Sequence, residues 1–265
     1  MHITTSLLPE MMAANSTTVD VAVVIDVLRA TSVITTAVAS GVEQIWTCRE
    51  VSQAMALADQ MAPRPLLCGE RKCMPIAGFD CGNSPAEYTS DRVGGQSMIL
   101  TTSNGTNAIE MASAAKRLIA ASFLNLPTVV GFLGQFQQVH LVCSGTDGRV
   151  TAEDVLLAGA IIDGCEVEYR ASTGDDESIL ARQLWTSWLH TADRTPWSRL
   201  RHGQRQEVLQ ISELLSRRLH QTLGGCNLVN LGFEQDLDRC ARIGSVPVIA
   251  ERVGQSPAVF QLLAT

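Results

Sequence analysis

The sequence lacks the features of a membrane, secreted or nucleic-acid-binding protein. No apolar run reaches the roughly 18–20 residues that a membrane-spanning helix needs. The start of the chain has no basic segment followed by an apolar stretch, so we expect no signal peptide. A formal net charge of −7 argues against a general surface for nucleic acid or anionic lipid. We therefore expect a cytoplasmic protein with no nucleic-acid and no membrane partner.

The eight cysteines lack the spacing of a zinc site, because no C-x-x-C pair occurs among them. Cys68 and Cys143 lie in apolar runs that are typical of strands, where a small buried thiol fits. We interpret the cysteines as reduced core thiols of a cytoplasmic protein, with disulfides as the alternative.

The chain does have a regular alternation of short β-rich runs and helical stretches. Predicted strands span 19–27, 45–47, 65–68, 97–101, 118–121 and 139–143, and predicted helices span 29–40, 52–60, 106–115 and 152–162. This order predicts a single α/β domain over residues 1–265, with three α/β/α layers around a largely parallel or mixed sheet.

The second part of the chain is more helical. Residues 172–223 have helical periodicity and predict a section that covers the sheet or lines a cleft. The chain is then predicted to end in one more helix and a strand around residues 246–250.

The first part of the chain matches itself at an offset of 75 residues. This shift places Ile25 on Leu100, Thr31 on Thr106 and the strand 66–68 on 141–143. Two interpretations remain open: an internal duplication of two halves, about 19–93 and 94–170, or a chance match between two α/β units. A duplication would make the loops after Asp26 and Thr101 equivalent, so that they face each other across one cleft.

Polar residues follow four predicted strands, and the first such segment is 26–32. Asp26 at a strand end suits a metal ion, because the carboxyl ends of parallel strands open onto a ligand crevice. Arg29, Thr31 and Ser32 supply a cation, hydroxyls and helix-start N–H groups for phosphate oxygens. The alternative is that Asp26 only caps the following helix.

The second and third segments carry further candidate ligands. Glu70 and Arg71 follow a strand directly, and the turn-rich segment 78–85 adds Asn83 and Ser84; a solvated surface turn is the alternative. Between the next strand and helix, a possible neutral cradle for an anion consists of Thr102, Ser103, Asn104, Gly105 and Thr106. An N-cap cluster is the alternative there, and the segment is no Walker loop because G-x-x-x-x-G-K-[ST] is absent.

The fourth segment, 143–154, offers two different mechanisms. Cys143 and Arg149 have the C-x-x-x-x-x-R spacing of cysteine-dependent phosphatases, although an acid, Asp147, lies inside the loop. Alternatively, Ser144 and Gly145 bind an anion, while Glu153 and Asp154 supply a metal ligand and its neighbour. Favourable charge at a helix start also accounts for one of these two acids.

These segments together resemble the 2-phosphosulfolactate phosphatase family. The resemblance runs from about residue 23 to 248 and rests on DVLRATS, GER, GFDCGNSP, TTSNGT, FLN, CSGTDGRVTAED and LGFEQDLDRCA. Ser103 stands where we expect threonine, and residues 172–225 match weakly, which makes them a candidate region for substrate selection.

The resemblance implies an α/β fold and Mg²⁺-dependent hydrolysis of (2R)-O-phospho-3-sulfolactate to 3-sulfolactate and phosphate, a step of coenzyme M synthesis in methanogens. Our hypothesis is that Asp26 and Asp154 hold Mg²⁺, with Glu70 and Glu153 as further candidate ligands. Arg29 and Arg71 would neutralise the substrate's anionic groups.

Other functions remain open at this point. A phosphatase that uses the Cys143 thiolate and a non-catalytic binder of small anionic metabolites are the rivals. The acid-phosphatase motif D-x-D-x-T is absent, so the sequence does not distinguish direct attack by water from a phosphoenzyme. The oligomeric state is open too, a homodimer included.

Overall fold

A computed structural model describes residues 1–12, 19–188, 196–202 and 205–263. Strands and helices alternate through most of the first part of the chain, and helices dominate after β9, as predicted. The strands are β1 (His2–Ser6), β2 (Val21–Ile25), β3 (Gln44–Thr47), β4 (Leu66–Arg71), β5 (Met74–Pro75), β6 (Ser97–Thr101), β7 (Arg117–Ala121), β8 (Gln138–Cys143), β9 (Ser172–Thr173), β10 (Ala250–Gln255) and β11 (Ala258–Leu262). The helices are α1 (Ala30–Ala39), α2 (Val51–Gln60), α3 (Ser90–Val93), α4 (Gly105–Met111), α5 (Leu126–Leu133), α6 (Ala152–Tyr169), α7 (Asp176–Trp188), α8 (Pro196–His202), α9 (Arg205–Leu219), α10 (Leu223–Asn230) and α11 (Glu234–Cys240).

The strands form one mixed sheet in the order β5-β4-β6-β3-β11-β10-β7-β2-β8-β1-β9. One block of parallel strands contains β4, β6 and β3, and a second contains β7, β2, β8, β1 and β9. The hairpin β10–β11 separates them and pairs antiparallel with β7 on one side and β3 on the other. The two parallel blocks therefore run in opposite directions.

The strand order has a symmetry that bears on the 75-residue shift. The shift exchanges β2 with β6, β3 with β7 and β4 with β8. This exchange converts the order β4-β6-β3 into β8-β2-β7, which is the order of three strands of the other block, read toward the hairpin β10–β11. A duplicated unit would give this arrangement, and the duplication itself stays a prediction.

Helices cover both faces of the sheet, which confirms the predicted three-layer α/β fold. Successive side chains of β2 point to opposite faces, so that Val23 joins the core beneath α5 and α6, while Val24 joins the core beneath α1 and α4. All five residues of β2 are buried, as expected for a central strand covered on both sides. No helix in the described part of the chain is both long and apolar enough to span a membrane.

The predicted helical section forms an outer cover on α6. Helix α7 packs closely there, because a Cβ on Gly159 would lie 2.1 Å from the carbonyl oxygen of Ala181. Trp185 is fully buried and stacks on Phe123 with ring centroids 6.1 Å apart. Within this predicted section, residues 189–195 and 203–204 lie outside the described residues.

The chain's two ends differ from the prediction. The chain does not end in one strand at 246–250. It ends in the hairpin of β10 and β11, which begins at Ala250. Pro247 has no N–H to donate to a ladder, and the Val246 N–H instead donates to the Leu124 carbonyl, 2.9 Å away. Strand β1 was not predicted, because its residues HITTS are mostly polar.

We expect the substitution Gly69→Ala to lower the free energy of unfolding by about 3 kcal/mol or more, because overpacking and an unfavourable backbone conformation act together. Gly69 has φ +136°, and a Cβ there would lie 1.9 Å from the Thr101 carbonyl oxygen on the paired strand. Gly78 is the matched control, with φ +82° and open space around it, so Gly78→Ala should cost only about 1–2 kcal/mol. Urea denaturation measures both, and an equal loss in the two variants would contradict the close packing at Gly69.

Candidate functional site

A cavity of about 410 Å³ opens where loops from both parallel blocks converge. Predicted site residues supply part of its lining, namely Asp26, Arg29, Glu70, Asn83, Ser103 and Asn104. The rest of the lining consists of Leu28, Lys72, Cys73, Thr146, Asp147, Gly224, Asn227, Asn230 and Leu231. The cavity therefore collects residues from four strand-end loops and from α10.

The loops after β2 and β6 face each other in this cavity, as the 75-residue shift predicts. A Cβ on Gly105 would lie 2.7 Å from Asp26 Oδ2 and 2.5 Å from the Ala30 Cβ. Only a glycine allows the start of α4 to approach the start of α1 so closely. The neighbouring Asn104 Oδ1 accepts a hydrogen bond of 3.2 Å from the Asp147 N–H, which adds the loop after β8.

Asp26 combines the two roles that the sequence left open. Its Oδ1 accepts a 3.0 Å hydrogen bond from the Ala30 N–H and so caps α1. Its Oδ2 points toward Gly105 at the cavity. Thr31 and Ser32 are fully buried behind it, where their hydroxyls donate to the carbonyl oxygens of Asp26 and Val27, each 2.8 Å away. Neither hydroxyl lines the cavity.

Asp154 joins the loops after β2 and β8 from beneath the cavity. Its Oδ1 accepts from the Val27 N–H at 2.9 Å. Its Oδ2 accepts from the Gly145 N–H at 3.0 Å, the Ser144 hydroxyl at 3.1 Å and the Thr151 hydroxyl at 3.4 Å. Protein donors thus occupy both oxygens of Asp154. The predicted anion-binding groups of Ser144 and Gly145 face buried acids instead of the cavity, and hydrogen bonding by the Ser144 hydroxyl also favours the charged form of Asp26.

Glu153 is the buried acid with spare hydrogen-bonding capacity. It is 2% exposed, and among the described residues its Oε2 has no hydrogen-bond partner. The start of α10 covers it, because a Cβ on Gly224 would lie 2.0 Å from Glu153 Oε1. Gly224 lines the cavity, so Glu153 lies directly behind the cavity wall.

Glu70 fixes two loops with one carboxylate. Its Oε1 accepts from the Ser103 N–H and its Oε2 from the Cys73 N–H, both at 2.7 Å. The Ser103 hydroxyl also donates to Oε2 at 3.3 Å. The carboxylate therefore orders the turn after β4 and the loop after β6 around the cavity.

The buried carboxyl groups destabilise one another's charged forms. Burial, followed by the charges of Glu70 and Glu153, raises the pKa of Asp26 to about 7. Burial, and then the charges of Asp26 and Glu153, raises the pKa of Asp154. Burial likewise raises the pKa of Glu153. No ion pair among the described residues includes any of these acids, so the cluster is short of positive charge.

The two predicted arginines are already engaged. The buried Arg29 donates from Nη1 to Asp236 Oδ2 at 2.6 Å and from Nη2 to the Cys73 carbonyl at 2.9 Å. Arg71 lies outside the cavity lining and donates to the Glu70 carbonyl and the Thr101 hydroxyl, both at 2.8 Å, and to the carbonyl of Arg49.

Lys72 is the cavity's freely available cation. It is exposed in the lining and forms no ion pair with any residue that the structure describes. The sequence selects Glu70 and Arg71 from this segment as site residues, and the structure adds Lys72.

Of the remaining predicted residues, one lines the cavity, and the others form hydrogen bonds within the protein. Asn83 lines the cavity, and its buried Oδ1 has no hydrogen-bond partner among the described residues. Ser84 donates to Asp236 Oδ1 at 2.6 Å. Thr102 and Thr106 bond to each other at the start of α4, which is the capping alternative, and neither lines the cavity.

Helix α10 contributes a wall that the sequence prediction missed. Gly224, Asn227 and Asn230 recur every three residues and so share one helix face, which lines the cavity. The described residues of 172–223 do not line the cavity, so that section packs on α6 instead of lining the cleft. The regular spacing of two asparagines behind a glycine pair was the available signal.

The cysteine mechanism finds no support in the geometry. Cys143 is fully buried, and burial followed by the charges of Asp154 and Glu153 raises its pKa well above the ordinary thiol value. Arg149 is exposed, and neither residue lines the cavity. The thiol is therefore held protonated and away from any bound anion.

We expect the metal-free protein to lose stability as the pH rises from about 4 to about 7, because folded Asp26 binds a proton there that the unfolded chain has released. Each unit by which the pKa is raised corresponds to about 1.4 kcal/mol. Asp26→Asn keeps the bond to Ala30 and removes this titration, so its unfolding free energy should fall less steeply over that range. Urea denaturation in EDTA at several pH values tests this, and equal slopes for both proteins would contradict it.

Comparisons with known proteins agree with the motifs. Residues 6–255 match the family described as 2-phosphosulpholactate phosphatase. A probable 2-phosphosulfolactate phosphatase of Thermotoga petrophila is 36% identical over 219 residues, which is 83% of this chain and 83% of that protein. Proteins of the same description from Symbiobacterium thermophilum and Thermotoga maritima are each 37% identical, over 86% and 83% of this chain and 89% and 83% of their own lengths. The names of these relatives indicate a phosphatase, which is a phosphoric monoester hydrolase, and the chain belongs to the 2-phosphosulpholactate phosphatase family.

Proposed function

We propose that the protein is a magnesium-dependent phosphatase that hydrolyses the phosphate ester of a 2-hydroxy acid, with (2R)-O-phospho-3-sulfolactate as the expected substrate. Family membership supports the reaction class, and the names of the relatives support the substrate. Water supplies the oxygen that phosphorus gains, the ester P–O bond breaks, and the 2-hydroxy acid leaves with a proton on its hydroxyl.

The excess of acids over cations in the cavity lining is the observation that supports a magnesium requirement. Its lining contains the carboxylates of Asp26, Glu70 and Asp147, whereas the cations are Lys72 and the already paired Arg29. The expected substrate carries about four negative charges near neutral pH, counting its phosphate as a dianion. The lining alone would repel such a molecule, so binding needs further positive charge.

The residues fit a magnesium ion held by few protein ligands. Mg²⁺ in proteins keeps several waters and uses one or two carboxylates together with substrate phosphates. The described residues contain no group of three His, Cys, Asp or Glu side chains arranged as a metal cage. Asp26 would hold the ion through its Oδ2, with Glu70 and the spare Oε2 of Glu153 as nearby acids. Asp154, with four protein donors, is the weakest of the four candidates.

When bound, the ion would offset the negative charge of the phosphoryl oxygens. The chain's own residues would orient the ester. Arg29 would donate its remaining N–H groups to phosphate oxygens, and Lys72 would attract the carboxylate or sulfonate. The side chains of Asn83 and Asn104 line the same cavity and would complete the hydrogen bonds. Such positioning and charge stabilisation make up most of what phosphoryl transfer requires.

We expect phosphate release from a panel of 2-hydroxy-acid phosphate esters to require Mg²⁺, to stop in EDTA and to survive iodoacetamide, because the reaction needs the ion and uses no thiolate. A colorimetric phosphate assay measures the release. Asp26→Asn should lose it at least about a hundredfold, whereas Asp59→Asn, an exposed acid on α2, should not change it.

The opposite pattern, activity that resists EDTA and is lost on alkylation, would favour the Cys143 mechanism. If no ester released phosphate, the result would favour a non-catalytic binder of anionic metabolites.

A further inference from the structure

Asp236, on α11, lies beside the cavity without lining it. Its Oδ2 accepts the 2.6 Å hydrogen bond from Arg29 Nη1, and the two side chains are only 4% and 2% exposed. Its Oδ1 accepts a second 2.6 Å hydrogen bond, from the Ser84 hydroxyl. One carboxylate thus holds the loop after β2 and the loop that carries Asn83.

The Arg29 guanidinium is fixed on three sides. Besides Asp236, the Cys73 carbonyl accepts from Nη2 at 2.9 Å. The Phe233 ring covers one face, with the guanidinium carbon 4.5 Å from the ring centroid. A guanidinium has five N–H donors in a planar fork, and these described partners use two of them. The donors left over belong to a side chain that lines the cavity.

This arrangement suits Arg29 better to orient a bound anion than to attract one from solution. Asp236 offsets the charge of Arg29 at close range, so the pair adds little net positive charge for drawing in an anion. Burying an ion pair costs free energy of desolvation, which a purely structural contact between apolar residues would avoid. A guanidinium held in one orientation, by contrast, presents its remaining donors in fixed directions to a phosphate.

We propose that Asp236 is a positioning residue of the active site, which holds the Arg29 guanidinium so that its remaining N–H donors meet the phosphate of the substrate. Phe233 supports the same orientation from the ring face. The proposal rests on the proposed function and goes beyond it, since it assigns to α11 a part in catalysis without contact to the substrate.

A double-mutant cycle tests whether Asp236 acts through Arg29. Asp236→Asn keeps the shape of the side chain and removes its charge, and we expect kcat to fall about tenfold to a hundredfold with KM changed far less. Arg29→Lys keeps a cation and loses the planar fork. In the Arg29→Lys background, Asp236→Asn should change kcat by no more than about twofold, because coupled residues are not additive.

Two results would overturn the proposal: an unchanged kcat in Asp236→Asn, or the same loss of kcat in both backgrounds. Glu234→Gln is the matched control, since it makes the same charge change at an exposed position of the same helix and should leave kcat and KM unaltered. Thermal unfolding of each variant separates a loss of orientation from a loss of folded protein.

A substitute variant and a substitute measurement keep the test decisive. If Asp236→Asn does not fold, Phe233→Leu takes its place in the same cycle, with the same expected coupling to Arg29. If the wild type releases no phosphate from any ester, the proposed function fails, and the cycle is measured instead on the Kd for inorganic phosphate in the presence of Mg²⁺. Additivity in that Kd would then overturn the positioning role separately.

Discussion

Negative charge without a matching cation is the constraint around which this site is organised. Asp26 directly follows β2, and Glu153 and Asp154 lie in the first turn of α6, after the neighbouring strand β8; all three acids are buried. Burial and the charges of neighbouring carboxylates raise the pKa of Asp26 and of Asp154, and burial raises the pKa of Glu153. Backbone N–H groups and hydroxyls stabilise Asp154, and the Ala30 N–H stabilises one oxygen of Asp26. These bonds order the loops without supplying a full positive charge. A cation bound at Asp26 would relieve the repulsion and let an anionic ester enter.

The topology explains how distant segments reach one cavity. Two blocks of parallel strands run in opposite directions, yet Gly105 brings the loop after β6 against Asp26 in the loop after β2. Glu70 then ties the turn after β4 to the β6 loop. Helices α10 and α11 complete the enclosure from the far end of the sequence, one as a wall and the other as the holder of Arg29.

Local sequence patterns predicted the polar residues at the strand ends, but they could not predict contacts between residues that are distant in sequence. Asp26, Asn83 and Asn104 could be identified because each follows a strand or a turn with its own sequence pattern. The state of Arg29 could not, since its partner Asp236 lies 207 residues away. Lys72 and Arg71 are adjacent in sequence, and only the fold shows that the first faces the cavity.

The most direct test of the account is calorimetric titration of inorganic phosphate into the wild-type protein, once with Mg²⁺ and once with EDTA. Phosphate carries the charge of the substrate's reacting group and needs no turnover to be observed. We predict binding with Mg²⁺ and none in EDTA, because the acidic lining repels the bare anion. Equal affinity under both conditions would contradict the claim that a cation completes this site.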